Sequence, residues 1–293
     1  MDDMKKILFS SVVMCFVFAQ AAEFAVKPRT CYEVSFKARV TRGPCIEKSP
    51  QLAAIVPMCV SRPNVTDFIF AGVRWRFFDA KGSVIPRPHE GASAQTLFSA
   101  EWKNYRCRFW TPEKAAKVEL AISAGAKSNR AELGDVSLVE IPSPQSLVFN
   151  PDFSAADDAA PGWQLVGSAV FHNLEPGRSE VNTLDGHVNG DLFPVLPGSR
   201  IEVGAVCRNP VVLGTRRDFT NIRVEFYQTY ADAAKKGARN KALSETALSV
   251  SGNPGKASRR YVVPPTANWA RLSAWHGIVE KVSVSVVQDG GAK

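Results

Sequence analysis

The sequence is poor in the residues that most often do chemistry, with 4 His, 6 Cys and 4 Met among 293 residues. His89, His172, His187 and His276 fall in separate segments, and no G-x-S-x-G elbow, H-E-x-x-H pair or phosphate-binding loop occurs. No catalytic residue is therefore assigned. No cysteine spacing matches a zinc site, and the missing nucleic-acid motifs leave nucleic acid out as a partner. Long amphipathic helices are absent too; Tyr230 to Ser244 offers at best one helical turn inside a basic loop around Lys235 to Lys241. The one marked apolar run, Ile7 to Phe18, is too short to span a bilayer, which needs about 20 residues.

That run follows Lys5-Lys6 and precedes Ala19-Gln20-Ala21, the small-x-small pattern at the end of a signal peptide. Residues 1–21 are expected to be a leader cut after Ala21, which makes the mature protein secreted or periplasmic. The full chain carries 36 basic and 28 acidic side chains, net +8. The leader removes two of each (Lys5, Lys6, Asp2, Asp3), leaving 34 against 26, again +8. Of the cysteines, Cys45 and Cys59 bracket a loop with Pro50 and Pro57 and are expected to pair in an oxidising compartment. Cys107 and Cys207 alternate in phase with apolar neighbours and are expected as buried, inert thiols.

What the chain does have is period-2 alternation in short runs separated by Pro and Gly, the mark of half-buried antiparallel strands. Tyr32, Val34, Phe36, Ala38 and Val40 form one inward set, Val73, Trp75 and Phe77 another, and Val118, Leu120 and Ile122 a third. The pattern occurs twice in the same order. The run from Pro28 to Val34 reads against Pro197 to Val203, Val73 to Phe78 against Ile222 to Tyr227, and Leu133 to Leu138 against Val279 to Val284. The expectation is an all-β chain of two tandem antiparallel jelly-roll-like sandwiches. Residues 24–142 would form an abbreviated first unit, without an amino-terminal strand, and 146–288 a fuller second, joined at Pro142-Ser143-Pro144.

The second unit opens with Asn150-Pro151-Asp152-Phe153, then Gly162-Trp163, Pro197-Gly198 and Pro264-Pro265. In these positions it resembles the jelly-roll carbohydrate-binding modules, galactose-binding-like sandwiches appended to bacterial polysaccharide-degrading enzymes. The resemblance implies a non-catalytic domain that binds a polysaccharide or oligosaccharide. It also implies a structural calcium held by an acid near the opening strand and an Asp in the closing strand. Asp135 matches the latter in the first unit, while Ser154 and Glu280-Lys281 depart from the pattern in the second. Asp185 to Asp191, glycine-punctuated and oxygen-rich, reads as a turn cluster with Asp185 and Asp191 as weaker calcium candidates. No other cofactor is expected.

A sugar-binding sheet needs flat rings on its solvent side. Taking Leu272 and Ala274 as inward puts Trp269, Arg271 and Trp275 outward, with Tyr227 on the neighbouring run. The two Trp are six residues apart, about 20 Å at roughly 3.3 Å per residue, enough for an oligomer. In the first unit Lys37 and Arg39, Arg74 and Arg76, and Arg106 and Arg108 form outward basic pairs. If all three strands share a sheet, these cations favour an anionic glycan. The function expected is glycan binding without cleavage. A structural or adhesive envelope protein that binds another protein is the alternative, and a polysaccharide hydrolase with paired carboxylates the third reading.

Overall fold

The computed structural model describes residues 21–45, 47–48, 71–86, 94–123, 129–155, 162–175, 177–209, 219–234 and 242–287. The leader run, Cys59, His89 and the basic loop of residues 235–241 lie outside them.

Alternation becomes strands throughout. The first half holds β1 (Ala21–Ala25), β2 (Cys31–Arg42), β3 (Gly72–Phe78), β4 (Val84–Ile85), β5 (Ala94–Thr96), β6 (Lys103–Trp110), β7 (Lys117–Ser123) and β8 (Arg130–Glu140). They form two sheets, β1-β7-β3-β4 with β5 on β3, and β6-β2-β8. The core between them gathers Val34, Phe36 and Ala38 of β2 with Val73, Trp75 and Phe77 of β3 and Val118 and Leu120 of β7. Trp75 stacks on Phe109 at 5.8 Å, and Phe77 meets the same ring edge-on at 5.4 Å. Burying each such ring is worth about 1.5–3 kcal/mol.

The second half follows with β9 (Trp163–Gly167), β10 (Val170–Glu175), β11 (Arg178–Asn182), β12 (Gly186–Gly190), β13 (Phe193–Pro194), β14 (Arg200–Arg208) and β15 (Phe219–Tyr227). After the helical turn α1 (Tyr230–Ala234) come β16 (Ser244–Ser251), β17 (Gly255–Val262), β18 (Trp269–Trp275) and β19 (Ile278–Val287). Their sheets are β16-β15-β18-β12-β9, with β13 on β18, and β10-β11-β19-β14-β17. Ile201, Val203 and Ala205 of β14, Ile222, Val224 and Phe226 of β15, and Leu272 and Ala274 of β18 share the second core.

The fold is therefore all-β, built of tandem antiparallel sandwiches, and the doubling is spatial as well as sequential. The order β1-β7-β3-β4 parallels β12-β18-β15-β16, and β6-β2-β8 parallels β17-β14-β19. Four readings need correction. An amino-terminal strand does exist in the first unit: β1 pairs with β7 along Ala21 to Ala25, so that Ala22 and Phe24 pack on the core. The stretch from Asp185 to Asp191 is mostly strand rather than turn, because Gly186 and Gly190 let β12 sit against its neighbours. A Cβ on Gly186 would lie 2.4 Å from the Val166 carbonyl oxygen, and one on Gly190 would lie 3.1 Å from the Trp163 ring. His276, which continues the inward phase of Leu272 and Ala274 and on that phase would be a core histidine, is half-buried with φ 70° in the turn between β18 and β19. Cys45 is a buried free thiol rather than half of a disulfide, as are Cys31, Cys107 and Cys207. Burial pushes the Cys31 and Cys207 thiols up to about 12.

β17 ends its sheet, paired on one side to β14. It carries the exposed cations Lys256, Arg259 and Arg260, and charge of this kind is a common way to blunt an edge strand.

Candidate binding face

The outer side of the β16-β15-β18-β12-β9 sheet holds the expected aromatic residues. Alternation in β18 turns Ala270, Leu272 and Ala274 into the core, so Trp269, Arg271, Ser273 and Trp275 take the other side. Register sets Asn221 of β15 and His187 of β12 opposite Trp275, and Tyr227 opposite Trp269. The two ends of this face then differ.

The expected platform is closed at its Trp269 end. Trp269 and Tyr227 are 0% exposed and Arg271 is 1%. Tyr230 of α1 stands edge-on to Trp269 at 5.2 Å, Leu192 joins them, and Ile85 and Trp110 from the first unit pack against the cluster. The Arg29 guanidinium lies 5.8 Å from the Trp269 ring centroid. Beside this cluster Arg271 donates from Nη2 to Glu225 Oε2 at 2.6 Å, and the Tyr227 hydroxyl donates to the same oxygen at 2.7 Å. The reason for the mismatch is chemical: two large rings repay burial better than exposure, and alternation cannot reveal that another part of the chain covers an outward face.

The Trp275 end is open and polar. His187 stacks on the indole with centroids 3.8 Å apart and planes 9° from parallel. Arg223, from β15 on the opposite flank, places its guanidinium 4.8 Å from the same ring. The indole Nε1 donates to Ser273 Oγ at 3.0 Å. Three polar atoms here lack a hydrogen-bond partner among the described residues: Asn189 Nδ2, Asn221 Oδ1 and Arg223 Nη1. Arg223 Nη1 does face Glu245 at 3.6 Å, an ion pair too long to be a hydrogen bond. Asn189 is only 2% exposed, so its unpaired amide is costly, about 1–3 kcal/mol for a buried donor. Two donors and an acceptor thus gather beside half-buried rings. His187 and Asn189 escape a first reading because glycines on either side suggest a turn; the alternation His187, Val188, Asn189 is the signal that places them.

The basic surface of the first unit is divided, which corrects the shared-sheet expectation. Lys37, Arg39, Arg106 and Arg108 lie on β2 and β6, but Arg74 and Arg76 belong to β3 in the other layer. Most are also neutralised. Arg39 meets Glu132 and Lys37 meets Asp135, both at 2.7 Å, Arg108 and Arg106 share Glu33 at 3.0 and 3.9 Å, and Arg76 binds Glu119.

Carboxylates elsewhere are similarly engaged. Glu180, 3% exposed, binds Arg208, which also meets Glu280 at 2.9 Å, with His172 Nδ1 at 3.4 Å from Glu180. These four residues lie across adjacent strands of one sheet. Of the calcium candidates, Asp135 is paired with Lys37, and among the described residues no three His, Cys, Asp or Glu side chains gather as metal ligands. No described helix is long and apolar enough to cross a membrane.

No family model matches the chain, and no curated protein does. Solved structures to which it is similar include tandem carbohydrate-binding modules. One is the N-terminal CBM22-1–CBM22-2 tandem domain of Paenibacillus barcinonensis Xyn10C, at 13% identity and TM-score 0.32, covering 90% of this chain and 82% of that one. Another is the tandem of CBM51 modules from the Streptococcus pneumoniae family 98 glycoside hydrolase Sp3GH98, at 10% identity and TM-score 0.22, covering 91% and 81%. The ANXUR2 extracellular domain of Arabidopsis thaliana is a third, at 7% identity and TM-score 0.25, covering 92% and 81%.

Proposed function

We propose that the protein is an exported, non-catalytic glycan binder that uses the Trp275 end of the second unit's outer sheet. The observation that carries this reading is the placement of Asn189 Nδ2, Asn221 Oδ1 and Arg223 Nη1, none of them hydrogen-bonded among the described residues, beside the half-buried Trp275 ring. A sugar needs both features together. Its apolar face lies on a ring, while its hydroxyls act as donors to Asn221 and acceptors from Asn189 and Arg223. A pyranose laid on Trp275 takes the place of the Arg223 guanidinium, which then turns Nη1 to a ring hydroxyl. The engagement of Glu33, Glu119, Glu132, Glu180 and Glu225 by arginines favours binding over hydrolysis, and the divided, paired cations of the first unit weaken the case for an anionic polymer there.

Affinity electrophoresis through gels holding neutral or acidic polysaccharides tests the reading. Retardation by at least one polymer, abolished in Trp275→Ala, is expected; migration unaffected by every polymer would refute it.

A second reading, docking of a protein partner, draws on the exposed side chains Leu196 and Val262, 66% and 64% accessible. They sit on segments joined by the Gly198 N–H donating to the Val263 carbonyl at 3.1 Å. Capture of a defined envelope protein that is lost in Leu196→Ser, with glycan gels silent, would favour it.

A further inference from the structure

We propose that the Trp269 end of the same face is a second glycan subsite, kept covered by the first unit as a movable cap. This inference rests on the glycan reading of the Trp275 end.

The two ends belong to one continuous surface. Trp269, Arg271, Ser273 and Trp275 alternate along a single strand, and Tyr227, Glu225, Arg223 and Asn221 run opposite them in unbroken register. The difference between the ends comes from what lies above. Over Trp275 stand His187 and Arg223 of the second unit itself. Over Trp269 stand Tyr230 and Leu192 of the second unit together with Ile85 and Trp110 of the first, and the Arg29 guanidinium, 5.8 Å from the ring centroid. Arg29 thus occupies the kind of position over Trp269 that Arg223 occupies over Trp275.

Besides the packing of Ile85 and Trp110, the cap is fastened by polar contacts at its rim. Arg29 Nη2 donates to the carbonyls of Asn268 at 3.2 Å and Val195 at 3.3 Å, yet Arg29 itself is exposed. Glu113 of the first unit accepts from the Tyr230 amide at 3.1 Å through one carboxylate oxygen. Beneath these contacts the polar matching fails. Trp269 Nε1 and Glu113 Oε2 are both buried with no hydrogen-bond partner among the described residues. A buried N–H left unpaired works against the closed arrangement. An incoming sugar hydroxyl supplies the acceptor that Trp269 Nε1 lacks, so ligand and cap compete for the same ring.

The prediction is a dependence on ligand length. A disaccharide reaches only the Trp275 end. A longer chain can span the about 20 Å to Trp269, but only in molecules whose cap has lifted at the Pro142-Ser143-Pro144 junction, and its apparent affinity is reduced by the fraction that has not.

The test uses the full chain, unaltered and as Arg29→Ala/Glu113→Ala. Calorimetry would follow binding of the two-residue and six-residue members of the xylo-, cello- and manno-oligosaccharide series. Acrylamide quenching of tryptophan emission would report exposure of Trp269 without any ligand. Expected are equal disaccharide affinities in both proteins, hexasaccharide binding about tenfold tighter in the variant, and increased quenching. Unchanged quenching would show that Arg29 and Glu113 do not hold a cap, and increased quenching without tighter hexasaccharide binding would show that the uncovered ring is no subsite; either overturns the proposal and leaves the Trp275 site standing. Silence of every sugar in both proteins would instead remove the glycan reading itself, with quenching still deciding whether the cover moves.

Discussion

His187 and Trp275 stack with ring centroids 3.8 Å apart, although one comes from β12 and the other from β18. The contact depends on the register of the two strands, which sets the residues directly opposite each other. A one-residue slip of β12 would turn His187 into the core and Val188 to solvent.

Trp275→Ala is expected to weaken glycan binding about tenfold or more, the scale of one lost aromatic contact together with its hydrogen-bonded setting. Thermal stability should change little, since the ring is half-buried and on the outer face. Affinity electrophoresis and a melting curve, run on the same preparation, separate the two effects. Equal retardation of the variant and the parent would place the ligand elsewhere.

Glu225→Ala should destabilise the second unit by about 3–5 kcal/mol, because it leaves Arg271 charged and buried without its carboxylate. Replacing both, as Glu225→Leu/Arg271→Met, should recover most of that loss. Urea unfolding of the single and double variants measures the coupling; additive losses would contradict the buried-pair account.

Gly186→Ala should cost stability and binding together. The added methyl would sit 2.4 Å from both the Ala169 amide nitrogen and the Val166 carbonyl oxygen, contacts that only backbone movement relieves. A loss of roughly 1–3 kcal/mol is expected for such overpacking. Displacing the start of β12 also moves His187 off the indole. A variant with full stability and full binding would disprove the close approach.

The buried thiols give a prediction in base. Burial raises Cys31 and Cys207 to about 12 in the folded protein, against about 8.5 for an exposed thiol. Between these values the unfolded chain releases protons that the folded chain retains. The stability linked to these thiols is therefore present below about pH 8.5 and is lost progressively toward pH 12. Unfolding midpoints measured from pH 8 to 11 should fall less steeply in Cys31→Ala/Cys207→Ala. Native protein at pH 8 should also resist iodoacetamide at these cysteines until denaturant is added.

Much of the layer structure was legible because alternation is a direct record of which side chains face the core. The inward sets of β2, β3, β7 and β18 and the order of the duplicated strands could be read from residues alone. β1 was hidden by its overlap with the end of the leader pattern, and β12 by glycines that usually signal turns. Site geometry was harder for a different reason. Phase assigns Trp269 and Trp275 to the same side equally, but their surroundings come from Ile85, Trp110 and Arg29, far away in sequence. Opposed charges were likewise invisible along one strand: Glu33 lies across from Arg108 and Glu132 across from Arg39 only after pairing is known.

The cations along β17 bear on how these molecules meet in a crowded solution. Two copies approaching border to border present Lys256, Arg259 and Arg260 to one another, and the repulsion grows as the open backbone groups come within bonding range. Concentrated protein should therefore stay dispersed at low ionic strength, and added salt, by shortening the reach of those charges, should be what first permits ribbon-like association.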